Sequence, residues 1–371
     1  MKMNRRRIGL LAPMALALFL AAGSAARTAD AGTTRVYYIA AEEIEWDYAP
    51  EGKDLMMAMD MDFTDDQKVF VEPGPSRIGS IYRKAMYIGY LDADYKVKDT
   101  SADPANGILG PIIHAEVGDR IVVHFKNTTR VPLSIHPHGV FYNKNSEGSM
   151  TNDGTTGADM ADDHVPPGGT HVYEWAVPER AGPGPADPSS IVWLYHSHVD
   201  EIRDTNTGLV GAMVVTRKGE AEADGTPRGV GRESFNLFTV MNENESLFYD
   251  EMVAKLEETP SEEFEEFEES NLMHSINGFV FANMPMQTSK VGESVRWYVM
   301  ALGTEVDLHT PHWHGNTVLV GGHRKDVVDL LPASTIVADM TPDNPSIWMY
   351  HCHVNDHIAA GMTARFQVLA E

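Results

Sequence analysis

The segment Trp348-Met349-Tyr350-His351-Cys352-His353-Val354 decides how this chain is read, because it occurs twice. Its counterpart is Trp193-Leu194-Tyr195-His196-Ser197-His198-Val199. Upstream of each copy stands a second histidine pair, His136-Pro137-His138-Gly139 and His312-Trp313-His314-Gly315. Before each pair lies a Val-Gly-acid turn that opens an alternating run, Val117-Gly118-Asp119-Arg120-Ile121-Val122-Val123 and Val291-Gly292-Glu293-Ser294-Val295-Arg296-Trp297. Short alternating runs, regular turn signals and no long amphipathic helix predict an all-β chain with one β-sandwich in each half. The repeat places the first domain at 33–218, an acidic, glycine-containing linker at 219–232 and the second domain at 233–371.

On a strand, residues i and i+2 share a face while i+1 points the other way. Each His-x-His therefore presents two imidazoles on one side, and four such pairs give eight. Eight exceed the four ligands of a structural zinc site and suit a cluster of several metal ions between domains. Cys352 lies between two of these histidines and faces the other way. His357 follows five residues later, Met362 five after that, and His309 opens His309-Thr310-Pro311-His312. His309, Cys352, His357 and an axial Met362 make the two-histidine, one-thiolate, weak-thioether set of a blue-copper site. The first half lacks it: Ser197 stands for the cysteine, Ile202 for His357 and Leu209 for Met362.

Composition bounds the function. The 371 residues include 29 basic and 54 acidic side chains, a net charge of −25. Such a field repels nucleic acid and anionic membrane surfaces and draws small cations, so no nucleic-acid partner is expected. One cysteine among 16 histidines and 20 methionines rules out an intrachain disulfide and directs attention to metals. Lys2, Arg5, Arg6 and Arg7 precede an apolar run from Ile8 to Ala22, the layout of an export signal over 1–31. Asn4-Arg5-Arg6-Arg7-Ile8 loosely fits a twin-arginine signal, and either route places the protein in the periplasm or outside the cell. A retained anchor is the other reading of that segment.

With these motifs, the chain resembles the multicopper oxidases, nearer to their ceruloplasmin–hephaestin branch than to three-domain laccases. The resemblance extends to Tyr37-Tyr38-Ile39-Ala40-Ala41-Glu42-Glu43-Ile44-Glu45-Trp46-Asp47-Tyr48, Ile108-Leu109-Gly110-Pro111-Ile112-Ile113 and Met273-His274-Ser275-Ile276-Asn277-Gly278. It implies two cupredoxin-like Greek-key sandwiches, the first without type 1 copper, and four copper ions per active unit. It implies that His136 and His312 hold the type 2 copper, and that His138, His196, His198, His314, His351 and His353 hold the type 3 pair. Electrons would enter singly at an exposed His357, pass through Cys352 to His351 and His353, and reduce O2 to water.

The resemblance also implies an iron(II) site beside the type 1 centre, at Glu269, His274 and Asp356, and hence Fe2+ as the reductant. A small laccase acting on phenols or aryl amines is the alternative. A Cu+ oxidase is another, suggested by the thioether-rich Met56, Met57, Met59 and Met61. A pure binding module would not retain a complete ligand set. In the same branch the loop matching Asp159, Asp162 and Asp163, with the Lys144 carbonyl, holds Ca2+, and oxygen-only ligation suits that ion. An acidic solvated loop is the other reading of these residues, as it is for 257–269. Two sandwiches per chain, against six in the ceruloplasmin ring, imply a homotrimer with each trinuclear cluster shared between chains.

Overall fold

Turn chemistry and alternation build four sheets, stacked in series. In this computed structural model residues 32–56, 61–258, 260 and 265–370 are described. The expected export signal at 1–31, Met57 and Met59 lie outside them. Two sheets come from the first half. The first has the order Ile81–Tyr90, Thr34–Asp47, Arg120–Asn127, Thr170–Ala176, Phe141–Tyr142. The second runs Ile113–Glu116, Val210–Thr216, Ser190–His196, His136–Pro137. The second half repeats the pattern. Its third sheet runs Leu272–Ile276, Arg232–Asn242, Val295–Ala301, Thr335–Met340, Val318–Val320, His323–Lys325, and its fourth Gln287–Lys290, Thr363–Leu369, Ser346–Cys352, Pro311–Trp313. One parallel pairing recurs in every sheet, between Thr34–Asp47 and Arg120–Asn127 in the first and Arg232–Asn242 and Val295–Ala301 in the third. The architecture is the cupredoxin-like all-β one expected. Thr34–Asp47 and Arg232–Asn242, at 14 and 11 residues, are longer than the short strands the turn signals suggest.

Each interlayer space is filled by side chains that alternate along the strands. Ile39, Val123, Phe125, Tyr173 and Trp175 of the first sheet meet Ile113, Tyr195, Met213 and Val215 of the second. Val240, Trp297, Val299 and Met340 of the third meet Trp313, Tyr350, Cys352 and Phe366 of the fourth. The middle contact joins the halves: Val192, Leu194, Val210, Ala212 and Val214 pack on Leu237, Tyr298 and Met300. A strand in the middle layers is thus apolar on both faces, which is why Val210–Thr216 is buried along its whole length. Residues 32–371 accordingly form one compact unit.

Polar groups seal this middle contact. Arg296 donates to Ser189 Oγ and Ser190 Oγ at 2.7 and 2.8 Å while its other nitrogens hold Asp339. Deeper in, the fully buried Lys84 of the first half pairs with Glu243 of the second, and Tyr48 donates to the same carboxylate. Burial alone would drive both charges off, so each survives on the other.

Among the described residues five short helices lie outside the sheets: α1 (Asp65–Val71), α2 (Glu201–Thr207), α3 (Tyr249–Val253), α4 (Glu265–Ser270) and α5 (Asn355–Ala359). Among the described residues no helix is long and apolar enough to cross a membrane. A capping box between Thr64 and Gln67 starts α1, which ends on buried Phe70 and Val71. The acidic stretch expected as a loop forms α4 over its last residues: Phe267 and Ser270 are buried, and Glu266, Glu268 and Glu269 face solvent.

Candidate metal centre

Strand pairing brings the histidine pairs together. His136 lies directly across from His196, and His312 directly across from His351. In the first half the His136 ring is 5.1 Å from that of His198 and 5.6 Å from those of His138 and His196. The second half repeats this, with His312 at 4.6, 5.1 and 5.3 Å from His314, His351 and His353. The Nε2 atoms of His138 and His196 are 3.0 Å apart, as are those of His314 and His351. Glycines permit the approach. A Cβ on Gly139 would sit 2.3 Å from the Trp193 ring, and one on Gly315 2.5 Å from Trp348, both at positive φ. Each His-x-His-Gly therefore folds onto the tryptophan of its own Trp-x-Tyr-His-x-His.

Three of these rings are held neutral. Burial, then the neighbouring imidazoles, push His138, His196 and His351 down to about 4. Partners fix several ring orientations: His136 Nδ1 meets the Glu147 carbonyl at 2.6 Å, and His196 and His351 turn Nδ1 to the carbonyl of the next residue. The opposite nitrogen is left for a metal.

Behind this face lies the sulfur site. Cys352, fully buried, has Sγ 3.5 Å from His357 Nδ1 and 3.9 Å from His309 Nδ1, and the two nitrogens are 3.2 Å apart. Three ligand atoms at these separations can face one ion. Met362 is fully buried beside them, tied by its backbone to Cys352 at 3.1 Å and His357 at 2.8 Å. Burial raises the Cys352 thiol, but hydrogen bonding with His309, His357 and the backbone of Thr310 and Val354 outweighs it and brings the thiol to about 6. The donor set of soft thiolate, two imidazoles and a thioether fits copper.

The first half carries the same slot, differently filled. Leu133 bridges Val165 as His309 bridges Leu330. Ser134 N–H donates to Ser197 Oγ at 3.2 Å, as Thr310 N–H approaches Cys352 Sγ at 3.4 Å. The Ser197 hydroxyl then donates to buried Asp204 at 2.6 Å. A hydrogen-bonded carboxylate therefore lies beside Ser197, where the second half has its thiolate and imidazoles.

The other expected site residues are placed as follows. His274 is buried, its ring 5.1 Å from His357 and 6.1 Å from Phe70 of α1. Burial and then His357 push it down to about 4. Glu269 and Asp356 are exposed, without a side-chain hydrogen bond or ion pair. One expectation is corrected: His357 is not exposed, being 5% accessible beneath His274. Asp162 and Asp163 are buried and Asp159 exposed; Lys144 pairs through Nζ with Glu147 and Asp153. One oxygen of Asp162 accepts from Gly148 N–H at 2.7 Å, and the other is buried without a partner. Sequence reading missed Phe70 and also Asp307, whose buried carboxylate meets His309 Nε2 at 3.2 Å. The Asp-x-His spacing was the available signal for Asp307.

Comparison with known proteins agrees with this geometry. Two multicopper oxidase family models match residues 92–220 and 255–371. The chain is 43% identical to the ferroxidase HEPHL1 of Homo sapiens over 90% of its own length and 29% of that protein's. It is 42% identical to hephaestin of Homo sapiens (91% and 29%) and 41% identical to ceruloplasmin of Rattus norvegicus (90% and 32%). The chain thus spans about three-tenths of these relatives. A solved multicopper oxidase, mgLAC, superposes with TM-score 0.57 at 19% identity, covering 91% of this chain and 86% of that one. A copper nitrite reductase from Nitrosomonas europaea gives 0.57 at 15%, covering 91% and 94%. These two establish the fold alone. With the matched models falling on both histidine-bearing halves, the chain belongs to the multicopper oxidase family and is similar to its ceruloplasmin–hephaestin branch.

Proposed function

We propose that this protein is a ferroxidase, taking one electron at a time from Fe2+ and delivering four to O2. Copper, bound by His309, Cys352, His357 and Met362 (type 1), by His136 and His312 (type 2) and by His138, His196, His198, His314, His351 and His353 (type 3 pair), supplies the electron storage and the reduction of O2 to two waters. The chain supplies the wiring: Cys352 shares peptide bonds with His351 and His353, so the sulfur site and the imidazole cluster are covalent neighbours. The names of the HEPHL1 relatives support the reading.

The observation that carries it is the His274 ring packed against His357, tilted, with centroids 5.1 Å apart. A reductant held by His274 with the Glu269 and Asp356 carboxylates sits one ring from the acceptor. Carboxylates hold Fe3+ more tightly than Fe2+, which favours release of the electron. Burial of His357 also works against the alternatives. At 5% accessibility, His357 offers little surface for direct contact with a bulky phenol or aryl amine. The test is turnover of one preparation with Fe2+, Cu+ and a phenol. Preference for the phenol would replace this reading with a small laccase.

The reading includes a homotrimer. Among the described residues no hydrogen bond or ring contact joins the four histidines of the first half to the four of the second. The second sheet, with His136 and His196, is packed inside the stack, whereas the fourth, with His312 and His351, is its outer layer. A cluster needing both sets therefore draws them from two copies. Exposed Val36 and Val172 on the outer face of the first sheet, and Ile347 on that of the fourth, give apolar surface for the contact. Light scattering that finds an active, copper-loaded monomer would refute it. Finally, a Ca2+ ion at Asp159, Asp162, Asp163 and the Lys144 carbonyl accounts for the unpartnered Asp162 oxygen.

A further inference from the structure

Asp307 is 1% exposed, and its carboxylate is held by polar groups on both oxygens. Val240 N–H donates to Oδ1 at 2.7 Å and Thr304 N–H to Oδ2 at 2.9 Å. Oδ1 also lies 3.2 Å from Nε2 of His309, whose Nδ1 faces Cys352 and His357. Room for the carboxylate is made by Gly303, at φ +122°, where a Cβ would come within 2.0 Å of Asp307 Oδ2. The internal repeat supplies a control. Counting back from His312 to its counterpart His136, Leu133 stands where His309 does, and Val131 where Asp307 does. The half that lacks the imidazole lacks the carboxylate.

We propose that Asp307 is a positioning residue for the type 1 centre, holding His309 with its proton on Nε2 and its Nδ1 lone pair towards the metal, and lowering the reduction potential there. The first effect follows from hydrogen bonding: a carboxylate on one ring nitrogen fixes the tautomer and raises the basicity of the other. The second follows from charge. A carboxylate charge one ring away stabilises Cu2+ more than Cu+, and at 1% exposure solvent screens it little. The inference rests on family membership and the sulfur site, and is independent of whether Fe2+ is the reductant.

Two measurements on the copper-loaded full chain test it: the absorption band near 600 nm and the type 1 midpoint potential, found by redox titration. The wild-type band tests the copper site itself. Asp307→Asn is expected to keep the band and shift the potential upward. Gly303→Ala, which touches neither His309 nor the metal but crowds Oδ2, should shift it in the same direction. An unchanged potential in both variants, with copper retained, overturns the proposal. Nitrogen-15 shifts of the His309 ring in the metal-free wild type decide independently, even if Asp307→Asn fails to fold. A proton on Nε2 supports the assignment, and a proton on Nδ1 refutes it.

Discussion

The imidazole of His274 lies with its centroid 5.1 Å from that of His357, both rings buried. His274→Phe keeps an aromatic ring against Phe70 while removing the ring nitrogens and the contact of Nδ1 with the Leu272 carbonyl. Fe2+ oxidation should fall by about 10–100-fold, the usual cost of losing a supporting metal-site partner, while diamine oxidation and the 600 nm band persist. Glu269→Ala combined with Asp356→Ala should raise KM for Fe2+ sharply with the same sparing of diamines. Equal loss of both activities in steady-state assays would count against an iron site here.

Cys352→Ser puts into the second half the residue that the first half already carries at Ser197. The fold should tolerate it, since the slot accepts a hydroxyl in the first half. The 600 nm band should vanish and O2 consumption with any reductant should drop to background, with circular dichroism unchanged.

Asp204 gives a pH dependence of stability. Its carboxyl is raised to about 6, by burial first, against the opposing hydrogen bond from Ser197. An unfolded carboxylate titrates near ~3.9. A raised folded value means the neutral acid is favoured in the native state, so its contribution is full below about pH 4 and lost as pH rises through 6. The charged form then costs up to about 3 kcal/mol. All three donors, Ser197 Oγ and the Val199 and Asp200 N–H groups, address one oxygen, which an amide also provides. Asp204→Asn should therefore match wild type near pH 4.5 and melt higher at pH 8. A difference independent of pH would show that the carboxylate is not charged there.

Lys84→Met leaves the Glu243 carboxylate buried without its cation, at a cost of about 3–5 kcal/mol. Adding Glu243→Gln should recover most of that loss, because the unpaired charge is removed with it. Denaturant unfolding of the two single variants and the double variant gives the coupling energy. Additive losses would mean that the pair does not hold the halves together as a unit.

Burial pushes the Asp162 and Asp163 carboxyls up, an unfavourable state that a divalent cation relieves. Millimolar Ca2+ should raise Tm in the wild type, and EGTA should reverse the gain. Asp162→Asn should abolish the response. Insensitivity of wild type to both reagents would leave the acidic-loop reading.

The clustering of the histidine pairs, with Cys352 behind them, was legible because alternation along a strand is rigid: once His351 and His353 share a face, Cys352 must take the other. The repeat made the fold legible for the same reason, since Trp193 and Trp348 recur with the glycines that pack on them. What could not be read was how separate elements cover the site. The capping box at Thr64 announces α1 but not that its Phe70 will lie against His274, so His357 was expected at the surface. Asp307 was missed because its burial against His309 depends on the Val240 N–H group, brought from a distant strand. The helical part of 257–269 was hidden by its charge, which conceals the buried Phe267.

Stacking four sheets in series gives the polypeptide a direction, with unlike surfaces at its two ends. In the proposed trimer, copies joined end to end add in one sense only, like links that close into a loop. The sulfur-containing site is complete within a single link, whereas the proposed oxygen-reducing one exists only at a joint. Dilution should therefore separate colour from turnover: blue absorption per chain stays constant while specific activity declines, and reconcentration restores it.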